Sequence, residues 1–324
     1  MVALSFDPGY GNIKVFGLQG LLVMPSSVAV GGGEKMQRML GLRMAHPPLM
    51  VETSAGAFYV GEGAHDWGRP VENLDFDRLN GSPEMLALFL GAMSRYRVPP
   101  EPITLIVGLP IATLMGDNAQ HSQEAVVAFL RGTHTWRADG VEQSVTISQV
   151  RITSQPVGAM FDYLLTDDGE MPVDRRVAFK GEIGILGIGF NTLDLLVVRG
   201  GSPVQRFTAG ETLGVRRLLE LTNADGLYSL AELDAGLRKN SLDIQLALPI
   251  WQSELLGFLE KRWGSSFRRF NQVVIVGGGA KLLRDPLLLR FKEKAFIPDD
   301  PIIATARGLY KYTLMQACRR EEHG

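Results

Sequence analysis

Short apolar runs separated by glycine-containing turns open the chain. VALSF (2–6), IKVFGL (13–18) and GLLVMPSSVAV (20–30) predict an antiparallel meander whose first turn is FDPGYGN. Residues 31–80 are rich in Gly, Met and Pro, and strand pairs at LMVET (49–53) and AFYVGE (57–62) mark an insertion on the main sheet. Ser82-Pro83-Glu84 is a helix start, MLALFLGAMSRY (85–96) is its body, and prolines 99 and 100 follow its end. ITLIVGLP (103–110) reads as a buried strand, Asn118 to Leu130 as a second helix, and HTWRADGVEQSVTIS (134–148) as a hairpin turning at Asp139-Gly140. Gln155 and Pro156 precede a third helix, VGAMFDYLL (157–165).

The acidic, turn-rich TDDGEMPVD (166–174) predicts a crossing between domains. A second hairpin follows, with a strand ending at Arg199-Gly200-Gly201, then helices around GVRRLLELT (214–222) and from about Ile244 to Trp263. VVIVGGGAKLL (273–283) is a buried strand breaking into a glycine loop and a helix, and TARGLYKYTLMQAC (305–318) is a final helix. Strands interspersed with helices indicate an α/β fold.

The chain nearly repeats itself. FDPGYGNIKVF (6–16) and LGIGFNTLDLLV (186–197) align with Asp7 opposite Gly187, Gly9 opposite Gly189, Tyr10 opposite Phe190, Asn12 opposite Thr192 and Lys14 opposite Asp194. Alone, each copy reads either as a tight turn or as a phosphate grip. In the second reading, glycines let backbone N–H groups approach an anion, Lys14 adds positive charge, and Asp7 holds a metal ion or its waters. Two such turns, one in each half, grip a polyphosphate from both sides. Residues 276–283 (VGGGAKLL) add a third loop, at a strand-to-helix junction where backbone lies against a base or ribose.

Composition narrows the classes. A chain of 324 residues, 45% hydrophobic and 21% charged, buries a substantial core and suggests two domains. A net charge of −2 gives no basic field, so direct nucleic-acid binding is not expected, and any DNA is reached through a partner. Cys318 is the only cysteine, which excludes an intramolecular disulfide. No apolar stretch of about 18 residues spans a bilayer, and MVALSFDPG lacks a signal-peptide pattern, so a cytoplasmic protein with no membrane partner is expected.

The three glycine loops, in this order and spacing, resemble the actin-like ATPase superfamily. Asp7 to Lys14 are similar to its first phosphate loop, Gly187 to Asp194 to its second, and Gly277 to Ala280 to its adenosine loop. Residues 155–159 (QPVGA) resemble its first connecting helix, and Ala306-Arg307-Gly308 its second. FDPGYGN, VGLP, ARGLYKY and the short insertions most resemble the ParM/StbA plasmid-segregation proteins and their archaeal actin relatives.

The resemblance implies an actin-like two-domain fold, a duplicated ribonuclease-H-like core of five-stranded sheets closing over ATP or ADP and Mg2+. Domain I would span 1–167 and 302–324, including the insertion at about 31–80, and domain II 168–301. It further implies that Gly9, Tyr10, Gly11, Asn12, Lys14, Gly189, Phe190, Asn191 and Thr192 surround the phosphates. Gly277, Gly278, Gly279 and Ala280 would lie at the nucleoside, with Gly214 near it. Asp7 would hold the magnesium hydration shell, and Gln155 would orient the attacking water by hydrogen bonding. The departure is Gly187, where the family has an acid, which predicts slow hydrolysis more than lost binding. Neither Glu182 nor Asp194 occupies the equivalent place.

Other residues read as ordinary. His46, His65, His121, His134 and His323 have no metal-ligand spacing. Arg216-Arg217 and Arg268-Arg269 are solvated faces or ion-pair donors. The Met36–Met50 tract is packing or a loop, placed where subunits touch in an actin-like protein. The expectation is an ATP-binding, filament-forming ATPase that segregates plasmid DNA through an adaptor. Its rivals are a small-molecule kinase on the same fold and an ATP-binding module without turnover.

Overall fold

The computed structural model describes residues 2–32 and 46–321, so most of the methionine-rich tract, including Met36, Met39 and Met44, lies outside the described residues. Ten strands form the first sheet: β1 (Val2–Pro8), β2 (Asn12–Gly17), β3 (Gly20–Pro25), β4 (Val28–Val30), β5 (Leu49–Thr53), β6 (Gly56–Val60), β7 (Arg69–Pro70), β8 (Ile103–Leu109), β9 (Gly132–Ala138) and β10 (Val141–Ser154). Their order is β3-β2-β1-β8-β10-β9-β5-β6-β4-β7. The second sheet holds β11 (Glu182–Ile188), β12 (Leu193–Arg199), β13 (Ser202–Pro203), β14 (Ala209–Glu211), β15 (Gln272–Val276) and β16 (Ala295–Phe296), ordered β13-β12-β11-β15-β16 with β14 beside β12.

The sequence repeat is a repeat of sheets. In each, an antiparallel hairpin, β1–β2 or β11–β12, is followed inward by strands parallel to its first member, β8 and β10 or β15 and β16. The parallel centre explains the unbroken apolar runs: all seven residues of β8 are buried. The insertion strands do not lie on the face of the sheet. They continue its edge, with Val51 of β5 paired to Ala138 of β9.

Local chemistry sets the boundaries. Ser82 caps α1 (Pro83–Tyr96) by accepting from the Met85 N–H, with Pro83 at the first helical position where its missing N–H costs nothing. Asp139 and Gly140 take φ of 49° and 81°, the left-handed pair that a two-residue hairpin turn requires. The remaining helices are α2 (Ala119–Leu130), α3 (Gln155–Leu164), α4 (Val173–Lys180), α5 (Val215–Thr222), α6 (Leu230–Arg238), α7 (Ala247–Arg262), α8 (Gly278–Leu282), α9 (Arg284–Phe291) and α10 (Ala304–Glu321). Helix α3 starts at Gln155 itself, capped by Ser154.

Three of the apolar clusters hold these layers, and a fourth, small one packs Ala29 with Tyr59 and Ala64 of the insertion. One joins the first sheet to α1 through Phe6, Phe89 and Leu105. A second joins the other sheet to α7 through Leu195, Trp251 and Trp263. The third, with Ala159, Leu164, Ile185, Val274 and Ala304, seats α3 against the second sheet. Helix α10 returns to pack on α3, β1, β2 and β8, so the α3–α10 pair lies between the sheets. They cross closely, because a Cβ on Gly308 would stand 1.9 Å from the Gly158 carbonyl oxygen.

Candidate functional site

The β1–β2 hairpin pairs Asp7 with Lys14. Lys14 Nζ lies 2.8 Å from Asp7 Oδ2, and Gln155 Nε2 donates to Asp7 Oδ1 at 2.7 Å, so one buried carboxylate gathers strand, strand and helix. The turn is held from behind. The Gly9 carbonyl accepts from Ser26 Oγ at 2.6 Å and from the Arg78 guanidinium at 3.3 Å, and the Gly11 carbonyl accepts from the Ser26 N–H at 3.0 Å. In a trans peptide the C=O and N–H point to opposite sides. Drawing the Gly9 carbonyl back therefore turns the N–H of the same peptide, that of Tyr10, toward the cleft.

The β11–β12 hairpin repeats the device with different parts. Gly189 donates to the Thr192 carbonyl at 2.8 Å, closing the turn. Helix α5 begins behind it at Gly214 without a side-chain cap. Its first N–H groups instead donate to the hairpin: Gly214 to Asn191 O (3.2 Å), Val215 to Gly189 O (3.0 Å) and Arg216 to Phe190 O (2.7 Å). The uncapped donors of a helix start and the carbonyls of a turn satisfy one another. By the same planarity, the N–H groups of Phe190, Asn191 and Thr192 turn away from α5. Gly214 is required by this closeness, since its Cβ would sit 2.4 Å from Phe190 O.

Asp194 is fully buried, accepting from the Ile111 N–H and the Thr192 hydroxyl, each at 2.9 Å. Burial pushes its carboxyl up to about 6, opposed by those two donors and reinforced by the charge of Asp7. At the third loop, Gly277 takes φ of 93° and approaches β11 so closely that a Cβ would stand 2.2 Å from Ile188 O. Gly278 faces open space, with nothing within 4 Å of its Cβ position.

These pieces enclose one cavity of ≈430 Å³, a size ordinary for a small-molecule site. Asp7, Gly9, Tyr10, Gly11, Asn12, Lys14, Gln155, Gly187, Gly189, Phe190, Asn191, Thr192, Gly277 and Gly278 all line it. Gly214, Gly279 and Ala280 do not. Gly214 stands behind the second hairpin, and the other two are buried where a Cβ on Gly279 would meet Ile188 and Trp251. Sequence reasoning missed the wall formed by α6 and the turn after it: Asp234, Leu237, Arg238 and Asn240. Arg238 holds Asp234 at 2.6 Å and reaches across the cleft to Asn12 Oδ1 at 2.8 Å and Gly11 O at 3.3 Å. A signal for this helix was present, since Ser229 and Glu232 form a reciprocal capping box. The Arg216, Arg217 and Arg269 side chains pair with Glu220, Glu254 and Glu182.

The donor set suits a phosphorylated ligand with a divalent cation. Two loops turn N–H groups inward, Lys14 supplies positive charge, and the buried Asn191 Oδ1 has no hydrogen-bond partner among the described residues. No group of three or more His, Cys, Asp or Glu side chains that could hold a metal occurs among the described residues. Asp7 and Asp194 are the carboxylates at this end of the cavity.

A duplicated hairpin sheet with a cleft between the copies defines the class: the chain has the actin-like fold. Residues 5–158 match the family model for the actin like proteins N terminal domain. No curated protein matches the chain. Among solved structures it is similar to the apo pSK41 ParM protein, at 16% identity and TM-score 0.71 over 100% of this chain and 99% of that one. It is similar to the archaeal actin homologue Ta0583 at 20% identity and TM-score 0.74 (99% and 100% covered), a protein also solved as a complex with ADP. It is similar, too, to a 15-stranded ParM filament from Clostridium botulinum, at 19% identity and TM-score 0.74 (96% and 98% covered).

Proposed function

We propose that this chain is an actin-like ATPase that binds ATP with Mg2+ between two domains and assembles into filaments when it does. The observation that carries the reading is the pair of hairpins across one cavity, each with its carbonyls tied back. The ADP complex of Ta0583 and the ParM filament support it. The division proposed is 1–167 with 302–324, and 168–301, hinged at α3 and α10.

In this reading the first hairpin, Lys14 and the second hairpin hold the phosphates, Gly277 and Gly278 meet the nucleoside, and α6 closes the wall. Asp7, with Asp194 nearby, would hold the cation's water shell, and the cation would neutralise phosphate charge. Gln155 orients a water rather than accepting a proton, because an amide has no basic site for it. Contacts that already cross the cleft, Ile111 to Asp194 and Arg238 to Asn12, are those a γ-phosphate would reinforce. Taking the closed form from 1:99 to 99:1 needs about 10⁴-fold tighter binding to it, a preference phosphate contacts on both sides are built to supply. Hydrolysis is slow because Gly187 carries no acid, and the resulting long-lived polymer moves plasmid DNA in the cytoplasm through an adaptor protein.

Light scattering and negative-stain microscopy with ATP, ADP and a non-hydrolysable analogue test this. Filaments should form above a critical concentration with ATP and Mg2+. A protein that stays monomeric with every nucleotide, or gives no calorimetric heat with any, would remove the reading.

A further inference from the structure

Behind the first hairpin, facing away from the cavity, lies a charge outside the proposed nucleotide contacts. Arg78 is buried, 5% exposed, in the turn of helix at Phe76–Asn80. Its guanidinium donates to the carbonyl oxygens of Asn73 and Gly9 and interacts with the Tyr10 side chain, and none of the described ion pairs includes it. Glu84 acts on it only through space, its own Oε1 being taken by Asn73 Nδ2. The guanidinium carbon sits 4.0 Å above the Tyr10 ring. The same segment braces both hairpin tips: the Asp75 carbonyl accepts from the Tyr10 hydroxyl, and the Leu74 carbonyl accepts from Asn191 Nδ2.

A buried cation without an ion-pair partner is costly, so its position needs a return. We infer that Arg78 is a positioning residue for polyphosphate: it holds the Gly9–Tyr10 peptide with the Gly9 carbonyl outward and the Tyr10 N–H toward the cavity, and lends that peptide its charge. The second donor to the Gly9 carbonyl, Ser26 Oγ, does the same work without charge. A residue acting this way strengthens binding in proportion to the negative charge of the ligand. One that merely fills the core affects all ligands alike through stability.

The inference rests on the nucleotide reading, and the experiment separates the two. Titration calorimetry with ATP, ADP and adenosine would be run on wild type, Arg78→Met, Arg78→Lys and Ser26→Ala, with thermal unfolding measured for each. Arg78→Met should lose about 10–100-fold in ATP affinity, less for ADP and almost nothing for adenosine. Arg78→Lys, which keeps the charge, should recover part of the ATP loss, and Ser26→Ala should show the same grading at smaller size. Should Arg78→Met fail to fold, the grading in Ser26→Ala and Arg78→Lys decides. Equal losses for the three ligands, or none, would overturn the inference while leaving the nucleotide reading intact. Wild type that binds no nucleotide would overturn both.

Discussion

Asp194 stands directly across the β11–β12 ladder from Gly187, in the register position that pairs Asp7 with Lys14 in the first hairpin. The two hairpins therefore carry their charged groups on opposite strands. In the first, an acid on the leading strand faces a base; in the second, a bare glycine faces an acid. The second hairpin does not lack a carboxylate at the cleft, but holds it one strand over, tied to Ile111 and Thr192.

Gly187 has the space for an acid. Its φ lies outside the left-handed region, and its Cβ would make ordinary contact, 3.6 Å, with Asp194 Cβ. Gly187→Asp should fold normally and raise ATP turnover by about 10–100-fold, read as steady-state phosphate release under polymerising conditions. Unchanged turnover would show that Asp194 already does the work of the second acid.

Asp194 makes stability depend on pH. Its carboxyl is raised from 3.8 to about 6, so the neutral form is favoured on folding, and the contribution is whole below about pH 4 and lost as pH rises through about 6. That interval corresponds to on the order of 3 kcal/mol. Asp194→Asn keeps an acceptor for Ile111 and cannot ionise. Unfolding of the nucleotide-free protein from pH 4 to pH 8 should show the variant gaining on wild type across that window. A pH-independent difference would refute the assignment.

Gly278 and Gly279 are neighbours with opposite roles. Gly278→Leu extends into open space at the cavity and should abolish nucleotide heat in calorimetry while leaving the melting temperature nearly unchanged. Gly279→Ala drives a methyl to 2.2 Å from Ile188 Cγ2 and should lower stability by about 1–3 kcal/mol.

Arg238 is the most exposed of the cross-cleft contacts, so its removal tests closure without disturbing the core. Arg238→Ala should weaken ATP binding by roughly fivefold, as expected of a half-exposed charged hydrogen bond, and raise the critical concentration for assembly in light scattering. An unaltered critical concentration would place α6 outside the closing motion.

The sequence by itself determined the parts whose causes are local. The Ser82 cap, the Asp139-Gly140 turn, the buried run of β8 and the two glycine hairpins each depend on residues a few positions apart, and each is found where its pattern lies. About half of the cavity lining was legible, because glycine repeats mark backbone that must come close to something. What only the tertiary structure decided is what comes close. That Arg78 backs Gly9, that α5 draws in the carbonyls of 189–191, that Arg238 spans to Asn12, and that Ile111 holds Asp194 opposite Gly187 all follow from packing between segments 23 to 226 residues apart in the chain. No local period or turn signal encodes such pairings, because each is set by the layering of the two sheets around α3 and α10.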